Sequence, residues 1–194
     1  MVWILMLLLL ALVLGVPVLI YNRLVQARNH YRNAFSQIGV QLKRRHDLIP
    51  NLLEAAKGYL KHEQDTLQQV ALARNQAVGS LMAASPENPA ALAQLATAEA
   101  GLTQALRGLN IQLEAYPDLK ASENMQQFAE ELASTENRVS FARQAYNDSA
   151  TAYNTLRQIF PNNLVANLTG HQQDAELLVF EDRTQLEQAA KVVF

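Results

Sequence analysis

The sequence predicts an all-α protein: an N-terminal transmembrane helix continuing into an up-and-down bundle of three to four long helices. Three observations carry that expectation. The stretch from Val2 to Tyr21, VWILMLLLLALVLGVPVLIY, is uncharged and mostly apolar. From Leu24 onward apolar residues recur at spacings of three, four and seven, the period of a helix with one buried face. The periodic segments are separated by short proline turns, and no strand pattern of any length precedes the last residues.

The first element is the anchor. About 20 residues at 1.5 Å rise match a hydrocarbon core of ~30 Å. Pro17 lies near one end, where membrane helices tolerate it. Trp3 and Tyr21 stand at the two ends, where amphipathic rings favour the interface. A cleaved signal peptide fits poorly, because there is no basic leader, the apolar run is too long and no small-x-small cleavage site follows. Arg23, Arg28, Arg32, Lys43, Arg44 and Arg45 come next, and no acid precedes Asp47. The positive-inside rule then puts the N-terminus outside and the body in the cytoplasm. The expected division is an anchor over 1–21, a bundle over 22–161 and a tail with a short helix over 162–194.

The first bundle helix follows without a linker, through Leu24, Tyr31, Phe35, Ile38, Leu42 and Ile49. Pro50 is expected to kink it or to start a new helix. The pattern resumes from Asn51 to Met82. Ser85-Pro-Glu-Asn-Pro reads as a turn, with Asn88 capping a third helix and Pro89 at its first position. That helix, Ala90 to Ala115, is rich in Ala, Leu and Gln and ends before Pro117. The fourth, Ser122 to Phe160, has a strict four-three seam: Phe128, Leu132, Thr135, Val139, Ala142, Tyr146, Ser149, Tyr153, Leu156, Phe160. Ser122 is its expected cap, and a short helix is expected around Leu177 to Ala190.

Charge narrows the function classes. Formal charge is −2, but six of the 16 basic residues precede Asp47 and all 18 acids lie from Asp47 onward. An acidic body argues against nucleic-acid binding, which needs a basic face to displace counterions. With no cysteine, disulfides, thiol catalysis and thiolate zinc sites are excluded. His62-Glu63 lacks the second histidine of a metalloprotease motif, because position 66 is Thr. His46 and His62 are about 24 Å apart along a common helix axis, too far for one metal. No Gly-rich phosphate loop and no nucleophile with a base is found, so neither a cofactor nor an enzymatic activity is expected.

Two sets of basic residues remain as candidate sites. Arg23, Arg28 and Arg32 are close enough to the span to meet anionic headgroups. Lys43, Arg44, Arg45, His46 and Asp47 are bunched just before Pro50. One reading is local: Lys43 or Arg44 pairs with Asp47 at helical spacing and steadies the kink. The other is a polar knot that fixes helix register or contacts a neighbouring subunit or partner. Asn147, Asp148, Tyr153 and Asn154 form a polar-aromatic cluster on the fourth helix, read as seam residues with polar edges.

The run YNRLVQARNHYRNAFSQIGVQLKRRHDLIPNLLEAAKGYLKHE strongly resembles the signature of the bacterial LemA family. YPDLKASENMQQFAEELASTENRVSFARQAYND and YNTLRQIFPNNLVAN are similar to its C-terminal helix. Gly39 stands where that family usually has an acid, and Ala190 where it commonly has proline. The resemblance implies a bundle anchored in the bacterial inner membrane, with a short outer N-terminus and a cytoplasmic body. It also implies a link to membrane organisation or to membrane proteases and other envelope proteins, and no enzymatic activity. The expected function is a self-associating scaffold that organises or shapes the inner membrane. The alternative is an adaptor for a membrane protease or another envelope protein, without large self-assembly. The expected partners are the bilayer, further copies of the chain and such an envelope protein.

Overall fold

A computed structural model describes residues 1–60, 63–120 and 122–179, without the side chains of Leu8, Leu9, Leu12 and Lys120. Among the described residues there are six helices and no strand. They are α1 (Val2–Lys57), α2 (Gln64–Ala83), α3 (Pro89–Glu114), α4 (Pro117–Lys120), α5 (Glu123–Gln158) and α6 (Asn162–Leu168). The chain is therefore all-α, and α1, α2, α3 and α5 run up, down, up and down.

α1 is one helix of 56 residues, about 84 Å long at 1.5 Å per residue. Its apolar side chains are exposed from Val2 to Leu19, and burial against other elements begins at Ile20 and Leu24. Among the described side chains, which leave out Leu8, Leu9 and Leu12, no helix is long and apolar enough to cross a membrane. α1 pairs most extensively with α5, and α2 with α3, while α1 also packs on α2. Three core segments stack along the axis. The lowest joins Ile20 and Leu24 to Ala166. The middle one gathers Tyr31, Ile38, Leu42, Leu92, Leu95, Val139, Tyr146 and Tyr153. The upper one holds Ile49, Leu52, Val70, Leu102, Leu109, Leu113, Leu119 and Met125. In the middle segment the Tyr31 ring tilts against Tyr153 at 5.2 Å and Phe35 meets Tyr146 edge to face at 5.6 Å, the latter a geometry that aromatic quadrupoles favour.

Of the two outcomes expected at Pro50, a new helix does not start there: α1 continues through it to Lys57, so the break before α2 falls after Gly58. The reason is local to the proline and is given below. Three expectations are corrected. Ser122 stands at the start of α5, but its hydroxyl donates back to the Leu119 carbonyl (2.8 Å) and caps nothing. The α5 seam buries Thr135, Val139, Tyr146 and Tyr153 but stops short of Phe160, which is exposed because α5 ends at Gln158. In the tail, α6 and a non-helical segment come first. The described part of the expected Leu177–Ala190 helix, residues 177–179, is not helical, and the remainder lies outside the described residues. Asn88 does cap α3, accepting from the Ala91 amide (3.1 Å) with Pro89 at the first position.

Candidate functional site

Around Pro50 three helices are tied together by buried polar groups. A proline in a helix has no N–H for the carbonyl four residues back and pushes that carbonyl aside. Here the orphan is the carbonyl of His46. Arg74, reaching across from α2, donates its Nε–H to that oxygen (3.2 Å). A guanidinium thus replaces the missing amide, and α1 runs on unbroken. On the other side Arg45 and His46 turn inward, 6% and 2% exposed, Arg45 still bordering the groove between α3 and α5. Both face Glu99 of α3, itself 2% exposed. His46 Nε2 lies 2.7 Å from Glu99 Oε1, and Arg45 Nη1 lies 3.4 Å from Oε2. Arg45 Nη2 also donates to the Thr103 hydroxyl (3.1 Å). A buried carboxylate is tolerable only when charges and hydrogen bonds surround it, and here they come from α1.

The five residues bunched before Pro50 therefore divide. Lys43 and Asp47 form an exposed i,i+4 ion pair of 2.7 Å, and the Lys43 hydrogen bond holds the Asp47 carboxyl below its ordinary value. Arg44 is exposed. Arg45 and His46 belong to the interior, and of the two only Arg45 borders a groove open to a partner. Their partners Arg74, Glu99 and Thr103 lie far along the chain, and only the rarity of an acid such as Glu99 on an apolar helix face hints at them in sequence.

The three arginines nearest the anchor also divide. Arg23 is exposed. Arg28 lines a cleft of about 250 Å³ with Tyr31, Glu87, Tyr153, Asp174 and Glu176. Arg32 is paired with Glu87 in the α2–α3 turn, which also accepts from the Ser85 hydroxyl. Burial pushes Glu87 up, but the Arg32 and Ser85 hydrogen bonds together outweigh it and hold the carboxyl low.

A third arrangement involves the cluster on α5. After α6 the chain turns at Gly170, whose φ of +79° is a conformation that L side chains rarely adopt. Residues 171–179 then lie back along α5. Asn154 donates to the Ala175 carbonyl (2.9 Å) and accepts from its amide (2.7 Å). Asn147 does the same with Leu178, at 3.1 and 2.9 Å. The two asparagines are separated by about 10.5 Å of helix, and three extended residues span about 10 Å, so the registers match. Tyr146 donates to the Glu176 carbonyl (2.7 Å), and burial pushes its phenol well above the ordinary value. Tyr153 meets His171 Nδ1 at 3.1 Å. Arg157 and Gln158 hold Asp174. The strap brings Ala175 and Leu178 into the middle core.

Among the described residues no group of three or more His, Asp or Glu is placed to hold a metal; His62 lies outside them. A groove of about 480 Å³ runs between α3 and α5, its mostly apolar lining including Leu52, Leu106, Leu109, Leu113, Met125 and Leu132, with Arg45 and Glu136 among its polar residues. These arrangements bind helices to one another; they fix shape rather than present reacting groups.

Two comparisons with known proteins place the sequence. Protein LemA of Metamycoplasma hominis is 31% identical over 146 residues, 75% of this chain. The match spans 63% of that protein, less than two thirds of its length. The model of the LemA family matches residues 34–194, from the first bundle helix to the end of the chain. With most of its length matched by that model, the chain belongs to the LemA family.

Proposed function

We propose that the protein is a single-pass scaffold of the bacterial inner membrane that self-associates through its helical body and organises or shapes the bilayer. The observation that carries this reading is the continuity of α1. The apolar stretch from Val2 to Tyr21, with Leu8, Leu9 and Leu12 counted, and the central helix of the bundle are one helix with no linker. Apolar side chains exposed along a whole helix from Val2 to Leu19 need an apolar solvent. A body rigidly joined to its anchor transmits its own orientation, and that of its neighbours, to the membrane. The basic residues after the span favour a cytoplasmic body.

Charge supports association between copies. The upper end of the bundle exposes Asp118, Glu123 and Glu130, whereas Arg23 is exposed at its lower end and Arg44 partway along α1. Opposite ends of neighbouring copies can pair head to tail, the contact that builds rings or filaments. Single-particle electron microscopy of the full-length protein in mild detergent tests this. Rings, cages or filaments are expected; a field of monomers, monodisperse by light scattering across concentration and salt, overturns it.

The adaptor reading is favoured by the groove between α3 and α5, whose apolar lining suits a helix of an envelope partner. Crosslinking in membranes that recovers one stoichiometric partner and little self-product would move the assignment there.

A further inference from the structure

The outer face of α6 is apolar, although Val165 and Ala166 pack inward and Asn167 is exposed. A short helix packed on a water-soluble bundle buries its apolar residues and exposes its polar ones. α6 buries Asn162, 9% exposed, and Ala166. It leaves Leu164 and Leu168 56% and 87% exposed. Phe160, in the turn before it, is 79% exposed. Leu164 and Leu168 are spaced by four, the repeat of one helix face, and Ile159 beside Phe160 in the turn is also exposed. The Asn162 side chain is turned inward to the Leu156 carbonyl (2.9 Å).

The height of this face on the bundle is defined. Ala166 packs on Ile20 and Leu24, and His171, just past α6, meets the Tyr21 ring. α6 therefore sits beside the point where the apolar stretch of α1 ends. From Gln158 to Gln173 the chain carries no Lys, Arg, Asp or Glu, although 18% of its residues are charged. An uncharged helix with exposed leucines, packed beside the end of the anchor, has the chemistry of an element lying in the bilayer interface.

We propose that α6 and the turn before it form a second membrane contact, with Phe160, Leu164 and Leu168 entering the boundary between headgroups and acyl chains. This rests on the anchored reading of α1. Two contacts side by side would fix the tilt of the bundle on the membrane, which a single helix cannot do.

The test uses the full-length protein in phosphatidylcholine–phosphatidylglycerol vesicles, with the single Trp3 replaced (Trp3→Phe). One tryptophan is then introduced at a time: Leu168→Trp or Phe160→Trp in the proposed contact, Leu14→Trp in the anchor, Ile111→Trp on the exposed upper end. Exposed positions accept the ring, and circular dichroism melts confirm folding. The α6 reporters are expected to emit further to the blue than the Ile111 reporter and to be several-fold less quenched by aqueous acrylamide. They are also expected to be quenched most by lipids brominated near the headgroup, while the Leu14 reporter responds most to bromine at mid-chain. If the α6 reporters behave like the Ile111 reporter while the Leu14 reporter is quenched, the second contact is overturned and the anchor stands. If the Leu14 reporter is unquenched, both readings fall. If the α6 reporters are shielded from acrylamide and from bromine alike, the face is covered by protein, and the membrane contact is overturned.

Discussion

Pro50 shows how much one residue can hide. Its ring forbids an amide hydrogen bond to His46, and a sequence reading therefore ends or kinks the helix there; Arg74 supplies the missing donor from 28 positions away. Local spacing did expose the Lys43–Asp47 pair, because both residues lie on one helix. It could not expose Glu99 as the partner of Arg45 and His46, because that pairing exists only once α3 is docked. The Arg74 assignment predicts a non-additive pair. Arg74→Met strands a part-buried carbonyl and should cost about 1–3 kcal/mol. Pro50→Ala restores the amide, and in that background Arg74→Met should cost much less. Urea unfolding of the four proteins gives the coupling, and equal costs in both backgrounds would refute the substitution of guanidinium for amide. His171 gives a second prediction at this scale. Burial, then Arg28 and Arg32, hold its imidazole below the ordinary 6.5, and it faces the Tyr21 and Tyr153 rings. The unfolded chain takes up this proton first, so its contribution is complete above pH 6.5 and declines below it until the folded imidazole titrates. His171→Gln should flatten the pH dependence of the urea midpoint in that window; an unchanged slope would show that other groups set it.

Among the elements, α5 was the most legible and the strap the least. The α5 seam is a repeat of seven, and its middle residues are buried as that repeat requires. The same repeat contains Tyr-Asn twice, at 146–147 and 153–154. Each tyrosine falls on the seam, and each asparagine falls beside it, where the sequence marks a polar edge of the seam but not a partner. Its use appears only when an extended segment supplies a backbone amide and carbonyl at a matching interval. Helix α6 was illegible for another reason: with its apolar side out, it lacks the inward stripe by which helices are recognised. The strap predicts a graded loss of protection. Asn147→Ala should release Leu178, and Asn154→Ala should release Ala175, each removing two hydrogen bonds worth about 0.5–1.5 kcal/mol apiece. Amide hydrogen exchange should quicken at the strap and leave the α1–α5 core nearly unchanged. Equal acceleration throughout the bundle would mean that the strap and the core open as one unit.

At the scale of the whole molecule, the question is which charges remain for neighbours once the interior has taken its share. Arg45 is internal and bound to Glu99, Arg32 is paired with Glu87, and Lys43 is paired with Asp47. A test of assembly that replaces Lys43, Arg44 and Arg45 together would therefore confuse two effects, because losing Arg45 leaves the Glu99 carboxylate buried with one partner fewer and weakens the monomer itself. Arg44 alone carries surface charge without a structural role in the bundle. If copies associate through basic and acidic ends, Arg44→Glu should shift assembly to higher protein concentration while leaving the melting temperature within the small range of ordinary surface changes, about 0.5 kcal/mol in stability. Raising salt should weaken the wild type in the same direction, since exposed charges are screened over about 8 Å at physiological ionic strength. A companion change, Glu130→Lys at the acidic end, should weaken assembly alone and partly restore it when combined with Arg44→Glu, because the pair of charges is then exchanged rather than lost. Mass photometry of the detergent-purified proteins across concentration and salt measures all four. Restoration in the double variant would make the contact electrostatic and head to tail; assembly indifferent to all of these changes would place it on an apolar face instead, with the α3–α5 groove the first to examine.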